Sequence, residues 1–573
     1  CSPVMTVNHH QGRIRLIAIV LVAITLIFFG KLFYLQIVRG ESLGEQADRQ
    51  YLKPVGKPFD RGTIFFTNKD GSLFSAATVK NGFRVSINPE QIEDAEAAYN
   101  DLKQVLPLDR EAFIYKANKP GDQDEEIASR LSEEVAQQIK NLGVVGVFVI
   151  KEKWRFYPGE DLAAHALGFM AYRGDDYVGR YGLEQKYDEV LSRSEEPSFS
   201  QFFAQLFLGI GGDLFNQDPE SEGDVVLTLE PTVQNFVEAE LEKLAQVYQP
   251  ESAGAIVMNP VTGELTAMAA WPSFNPGEKQ GDINLLTNPL VERVFEMGSI
   301  VKPLTMAAAL DAKVVTPETT YNDQGSIKIG IATIRNFDGE ARGVVNMQKV
   351  LNDSLNTGAV FAMQQLGRER FRRYMLAYGI GEKTGVELPG EVAGLVNNFR
   401  STREVEFATA SFGQGFALSP LATTRALSVL ANGGTLPPPH VVKEVKYVNG
   451  DNDKTTNPVG RRVISTAASE DITRMLVKVV DEALRGGTVK LPHYRVAAKT
   501  GTAQIANPGG GGYYTDQYLH SFFGYFPAYE PKFIVFFYIV KPQGVRYASE
   551  TLTTPFIDTT KFLINYYDIP PDR

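Results

Sequence analysis

A serine set one helical turn before a lysine can become a nucleophile beside its base. The stretch "VFEMGSIVKPLTMAAAL", Val294 to Leu310, offers such a pair in Ser299 and Lys302, at the head of an apolar run. Proline is tolerated in a helix only near its start, so Pro303 predicts that Ser299 lies at or just before the first turn. Residues three apart share a helix face, which sets the hydroxyl and the amine side by side. A serine hydroxyl attacks poorly until a base takes its proton, and Lys302 can do this only when uncharged. Bringing a lysine from its ordinary value of about 10.4 to near neutrality costs roughly 4–5 kcal/mol. Burial and a nearby second cation both act in that direction.

Two further elements supply partners. "NDSLNTG" carries Ser354 and Asn356, and "KTGT", Lys499 to Thr502, carries a second lysine. Ser-x-x-Lys arises by chance about once or twice in a chain of this size, whereas KTGT arises about once in a hundred such chains. In this reading Ser299 attacks, Lys302 is the base, and Lys499 is the second cation, which also attracts a substrate carboxylate. Ser354 relays a proton to a leaving amine, and Asn356 orients Lys302 and the substrate amide. Backbone N–H groups of Ser299 and Thr502 form an oxyanion hole. Gly501 lets its strand come close to the substrate. The six histidines (His9, His10, His165, His440, His493 and His520) read as surface or packing residues, because no Gly-x-Ser-x-Gly turn accompanies them. One cysteine, Cys1, excludes an internal disulfide and a thiolate metal cage. No metal and no cofactor are expected.

These residues need a scaffold. "EGDVVLTLEPTVQNFVEAELEKL" reads as a strand, Val225 to Leu229, followed by a helix with Val233, Phe236, Val237, Leu241 and Leu244 at helical spacing. "AGAIVMNPVTGELTAMAAWPSF" reads as two strands around a turn at Asn259 to Gly263. "RVAAKTGTAQ", "HSFFGYFPA" and "KFIVFFYIVKP" read as three more strands, the last apolar nearly throughout and so buried on both faces. Strands at both ends with helical sequence between them predict a domain built on a largely antiparallel sheet. Upstream, charged helical stretches such as "DEEIASRLSEEVAQQIKNL" alternate with strand-like runs such as "VVGVFVI". The pieces "FDRGTIFFTNKDG", "RFYPGEDLAAHALGF" and "GRYGLEQKYDEVL" read there as turns and packing elements.

At 573 residues the chain is too long for one ordinary core. Its apolar share of 43% and charged share of 22% are those of a globular protein. A net charge of −11 argues against a nucleic-acid partner, which needs a basic face. "RIRLIAIVLVAITLIFFGKLFYLQIV" approaches the ~20 apolar residues that cross a bilayer. Arg13 and Arg15 before it predict a cytoplasmic N-terminus and a single-pass anchor, with the rest outside the cytoplasmic membrane.

Ser-x-x-Lys, then Ser-x-Asn, then Lys-Thr-Gly is the order of motifs in penicillin-binding proteins and, with Asp in the middle element, in class A β-lactamases. The chain resembles the class B penicillin-binding proteins, monofunctional peptidoglycan transpeptidases, along nearly its whole length. The resemblance runs through "RGTI", "GLEQKYD", "MNPVTGELTAMA", "GSIVKP", "SLNTG", "GIGEKTGVELPGE", "SFGQGFALSPLATTRALSVLANGG" and "AAKTGTAQ". It implies a membrane-anchored α+β protein: a tail at 1–13, a transmembrane helix at 14–38, an elongated pedestal of the dimerisation type at 46–221, and a transpeptidase domain at 224–573. That domain is expected as a mainly antiparallel sheet flanked by helices, with an all-helical subdomain. Ser299, Lys302, Ser354, Asn356 and Lys499 are implied as catalytic, and Thr500, Gly501 and Thr502 as substrate-binding. The implied substrate is a stem peptide ending in D-Ala-D-Ala, with β-lactam antibiotics as covalent inhibitors. Implied partners are a membrane-embedded glycan polymerase of the shape, elongation, division and sporulation class, and other division proteins. "KTGTAQ" with "HSFFGYFPA" is more like the division-specific, FtsI-like type than the elongation-specific type. The same fold also serves D,D-carboxypeptidases, serine β-lactamases and non-catalytic penicillin-binding sensors or scaffolds. The family pattern is broken at three places: Phe65 to Thr67, where an acidic-basic pair is usual after the "RGTI" element, Met297 where proline is usual, and Ala498 where glycine is common.

Overall fold

The computed structural model describes residues 60–174, 176–193, 222–278, 285–456, 460–507, 509 and 511–573. The tail and membrane helix expected over residues 1–38 lie outside the described residues. Among those described, no helix is long and apolar enough to cross a membrane. The chain divides into two compact units, one of residues 1–58 and 171–178, the other of residues 59–170 and 179–573. The described residues of the first, 171–174 and 176–178, lie in or beside two paired strands, Met170–Arg173 and Asp176–Gly179. The second holds every other described element.

Four strands open it: β1 (Ile64–Thr67), β2 (Leu73–Ile87), β3 (Glu125–Leu131) and β4 (Val147–Phe156). The long β2 pairs with β1 through its first residues and lies between β3 and β4 through its later ones. The next strand, β5 (Gly223–Leu227), runs parallel to β1, and Val442–Tyr447 adds antiparallel to β5. One seven-stranded sheet among the described residues therefore draws strands from both sides of the expected boundary at 221–224.

The stretch 124–142 corrects a sequence expectation. Only Glu133–Leu142 is helical (α1), while Glu125–Leu131 forms β3. Ser132 caps the helix by accepting the Val135 N–H at 3.3 Å, and Gly143 ends it in the left-handed region at φ 64°. Before that cap, the backbone groups of 125–131 are taken by β2, and this tertiary pairing outweighs local helix propensity.

"RGTI" and "GLEQKYD" meet in a buried ion knot. Glu184 receives Arg61 Nε at 2.8 Å and Arg155 Nε at 2.6 Å, and Arg61 also reaches Asp188 at 2.8 Å. Burial pushes the Glu184 carboxyl up, but the two guanidiniums outweigh it and hold the group below its ordinary value. These segments pin the turn before β1 to the helices that follow Gly179, which is the packing role expected of them.

The second layer system is a five-stranded antiparallel sheet. Its strands are β6 (Ser252–Met258), β7 (Leu265–Trp271), β8 (Ala497–Ala506), β9 (Tyr513–Phe526) and β10 (Phe533–Val540), in the order β8-β9-β10-β6-β7. Strand period two explains its burial. Ile534, Phe536 and Tyr538 of β10 point into one core, and Phe533, Val535, Phe537 and Ile539 into another. The second core is closed by α2 (Pro231–Tyr248) through Val233, Val237 and Leu241, and by the C-terminal helix Thr553–Tyr566 through Phe556 and Leu563. The first is closed by helices that include α3 (Lys302–Asp311), α4 (Asn356–Leu366) and α5 (Pro420–Ala431). The sheet is thus buried on both faces between helices.

The subdomain expected to be all-helical is not. Between α3 and α4, Thr320–Asp323 pairs with Gly343–Asn346, and Ser326–Ile329 pairs with Ala332–Arg335. Gly325, Gly330, Gly339 and Gly343 all adopt positive φ in this segment, so the chain turns back on itself before a helix can propagate.

Candidate active site

Ser299 lies in a short 3-10 turn, Gly298–Val301, that runs directly into α3, with Pro303 in the first helical turn. This is the placement that Pro303 predicts. Gly298 takes φ +63°, and a Cβ there would come within 3.0 Å of the Ala503 Cβ on β8. The turn is held by a segment whose role the sequence did not reveal, Ser411–Leu418. Gly298 N–H donates to the Gly413 carbonyl at 3.1 Å, and the Thr305 hydroxyl donates to the Ser411 carbonyl at 2.8 Å. Phe295 and Leu418 exchange N–H to carbonyl bonds at 2.9 and 3.0 Å. Glu296 accepts the Gly415 N–H at 3.1 Å and the Tyr513 hydroxyl at 2.9 Å, and burial pushes its carboxyl up. Gly413, at φ +84°, is the one local signal: a Cβ there would meet the Gly298 carbonyl oxygen at 2.1 Å.

Three motifs far apart in the chain converge behind Ser299. Lys302, 1% exposed, donates from Nζ to the Ser354 carbonyl and lies 3.1 Å from Ser354 Oγ. Lys499, 3% exposed, approaches the same Oγ at 3.1 Å from β8 and donates to the Thr500 carbonyl at 3.0 Å. The Ser354 hydroxyl is therefore shared between the two amines. Ser354 itself sits at φ +56°, a conformation that non-glycine residues seldom adopt and that marks a constrained position. Burial lowers Lys302 well below the ordinary lysine value, and the Lys499 charge lowers it further. Burial brings Lys499 down to about 8. Ser299 is half-buried.

Asn356 is the first residue of α4, and its Nδ2 donates to the Arg335 carbonyl at 2.8 Å; no hydrogen bond to Lys302 is seen. Thr502 Oγ1 accepts the Ala548 N–H at 3.0 Å, which turns its hydroxyl hydrogen away from that partner. β8 is an edge strand, so alternate N–H and C=O groups along it face away from β9. Phe337 and Tyr547, next to Asn336 and Ala548 respectively, meet edge to face at 5.9 Å and so link the segment before α4 to the one that caps Thr502. Among the described residues no cluster of three or more His, Cys, Asp or Glu could hold a metal ion. His165 and His520 are buried, with burial lowering both to about 4. They bond elsewhere, His165 to the Leu285 carbonyl and His520 to Thr551 and the Arg546 carbonyl.

Gly501 also lies tight against the turn that carries Ser299. A Cβ at Gly501 would lie 2.8 Å from the Met297 carbonyl oxygen and 2.4 Å from Ser521 Oγ, which donates to that same carbonyl at 2.8 Å. Gly501→Ala is expected to force β8 and the Ser299 turn apart, costing about 1–3 kcal/mol of stability. It should also slow acylation. Thermal melts and penicillin acylation rates measured on the variant check both effects.

The description "penicillin binding protein transpeptidase domain" matches residues 253–560, and "penicillin-binding protein dimerisation domain" matches residues 58–196. Stage V sporulation protein D of Bacillus subtilis is 31% identical over 564 residues, covering 96% of this chain and 85% of that protein. A probable peptidoglycan D,D-transpeptidase, PenA, of Neisseria meningitidis is 28% identical over 553 residues, covering 95% and 91%. Among solved structures, penicillin binding protein 3 of Mycobacterium tuberculosis complexed with aztreonam superposes with a TM-score of 0.68 at 25% identity, covering 90% of this chain and 98% of that one.

Proposed function

Since the chain belongs to the class B penicillin-binding proteins and is a serine-type D-Ala-D-Ala transpeptidase of peptidoglycan synthesis, we propose how its residues divide the reaction. The observation that carries the assignment is the Ser354 hydroxyl held 3.1 Å both from Lys499 and from Lys302, the lysine one helical turn after Ser299. Lys302, uncharged, takes the proton of the Ser299 hydroxyl as Oγ attacks the carbonyl of the penultimate D-Ala. Backbone N–H groups of Ser299 and Thr502 receive the oxyanion. The C–N bond then breaks, and the proton passes from Lys302 through the Ser354 hydroxyl to the departing D-Ala amine. An amine of a neighbouring strand attacks the acyl-enzyme by the reverse route and forms the cross-link. Lys499, Thr500 and the Thr502 hydroxyl hold the terminal carboxylate. Asn356, anchored at Arg335, orients the substrate amide. A β-lactam acylates the same serine, but its leaving amine stays tethered in the opened ring.

The acyl-enzyme is tested by intact mass after incubation with benzylpenicillin, with the modified peptide mapped. A persistent adduct on the peptide containing Ser299 is expected. Prompt hydrolysis with return of free enzyme would instead indicate a β-lactamase, and no adduct would indicate a scaffold. Synthetic D-Ala-D-Ala stem peptides with an added amine then separate cross-linking from simple carboxypeptidase trimming.

The two lysines predict a bell-shaped pH profile for acylation. The rate should rise as Lys302 loses its proton, at a pH well below the ordinary lysine range. It should fall as pH passes about 8, where Lys499 loses the charge that attracts the carboxylate. Stopped-flow acylation between pH 5 and pH 10 checks both limbs.

The anchor at residues 14–38 belongs to this reading, because Leu16 to Gly30 is free of charge and Arg13 and Arg15 precede it. It places the catalytic domain outside the cytoplasmic membrane, next to a membrane-embedded glycan polymerase. A septal role is favoured by "KTGTAQ" with "HSFFGYFPA". Depletion distinguishes it from elongation: filamentous cells support division, rounded cells the alternative.

A further inference from the structure

The segment that leads into Ser299 rests on one row of the five-stranded sheet. Gly501, Ser521 and Tyr538 lie side by side in register on β8, β9 and β10, so the row presents one face. Phe295 packs on the Tyr538 ring with centroids 5.2 Å apart. Two residues further on, the Met297 carbonyl accepts the Ser521 hydroxyl at 2.8 Å. Gly501, beside Ser521, lacks the Cβ that would fill the space this bond crosses. Ser521 is wholly buried, and the other acceptor its hydroxyl reaches is the Gly501 carbonyl at 3.4 Å.

The position of this bond in the chain gives it a task. The Met297 carbonyl and the Gly298 N–H belong to one planar peptide group. Ser521 ties its carbonyl to β9, and the N–H donates to the Gly413 carbonyl at 3.1 Å. The group is therefore clamped at both ends. The next residue, Gly298 at φ +63°, has no Cβ to limit its torsions, so sterics leave open the direction in which the chain proceeds to Ser299. Met297 carries no ring to lock its own φ, and its N–H donates to no group among the described residues. The clamp supplies the constraint that local sequence lacks.

We propose that Ser521 is a positioning residue for acylation: by holding the Met297–Gly298 peptide, it sets the angle at which Ser299 meets the substrate. The proposal rests on the reading of Ser299 as the nucleophile. Without the hydroxyl, the peptide keeps only its tie to Gly413. Gly298 then swings, and Ser299 reaches attack geometry less often, while the groups that bind the penicillin stay as they were.

Stopped-flow acylation of the full chain by benzylpenicillin separates the dissociation constant of the first complex from the acylation rate constant. Ser521→Ala should lower the rate constant by about 10–100-fold, the scale on which a small misplacement of a reacting group acts. The dissociation constant should be unchanged. Both limbs of the pH profile should stay where they are in the wild type, because Lys302 and Lys499 keep their surroundings. Ser521→Thr, which retains a hydroxyl, should keep most of the rate. Ser521→Val, of the same shape but without the hydroxyl, should be as slow as Ser521→Ala. Should the added methyl stop both branched variants from folding, Ser521→Ala decides through its rate constant, dissociation constant and pH profile. A wild-type rate constant in Ser521→Ala overturns the proposal. So does a dissociation constant that worsens by the same factor, a displaced pH profile, or a folded Ser521→Thr as slow as Ser521→Val, since each means a general disturbance of the site. Labelling that survives in Ser299→Ala overturns the nucleophile reading itself, whereas an unlabelled Ser299→Ala beside a fast Ser521→Ala overturns the role of Ser521 alone.

Discussion

Ser299→Ala should abolish covalent labelling by a fluorescent penicillin and lower acyl transfer by about 10⁶-fold, the scale on which a serine acyl-transfer enzyme loses rate when its nucleophile is removed. The fold should survive. Ser299 is half-buried, and Gly298, Thr305 and Phe295 carry the hydrogen bonds that hold its turn. Ser354 cannot substitute, because its hydroxyl is engaged between two amines and its backbone is committed to the left-handed region. Gel fluorescence after a long incubation checks this, and a labelled band of wild-type intensity would remove Ser299 from the mechanism.

Lys302→Ala should slow acylation by about 10²–10⁴-fold, the usual contribution of a positioned general base. The acid limb of the pH profile should vanish with it, because the group whose deprotonation produces that limb is gone. Lys302→Arg should be no better. A guanidinium cannot shed its proton in the working range, so it has no lone pair to offer Ser299. Stability should fall little, since burying an amine beside Lys499 is itself unfavourable. Stopped-flow acylation and thermal melts run side by side separate the two effects. Near-wild-type acylation by either variant would mean that another group takes the proton.

Some of this was legible in the sequence. The placement of Ser299, Lys302 and Lys499 was visible because local residue type and spacing fix it: a proline sets the helix start, and a rare tetrapeptide marks the strand. The buried strand β10 was visible for the same local reason, eight apolar residues in a row. What was hidden depends on partners remote in the chain. Residues 125–131 look helical until β2 takes their backbone groups. Ser411–Leu418 looks like a glycine-rich loop until Gly298 and Thr305 are laid against it. Asp323 and Asn336 resemble ordinary turn residues, and only the structure shows them buried and bonded to Thr357 at the start of α4. Gly501 has a second constraint that the sequence did not show, because a sequence shows that a side chain is missing but not that the Met297 carbonyl and Ser521 occupy the space.

The seven-stranded sheet carries a consequence for how the protein matures. Thr63 meets Asp224 across 161 positions of chain, and Thr228 meets Val441 across 213. Long-range closures of this kind slow folding, because chain entropy is lost before the contacts that reward it can form. During synthesis, therefore, the N-terminal sheet stays unfinished, with the outer edge of β5 unpaired, until Val442–Tyr447 has emerged. A polypeptide truncated before residue 442 should leave that edge open to self-association, and quality-control proteases should clear it before it can sequester intact copies.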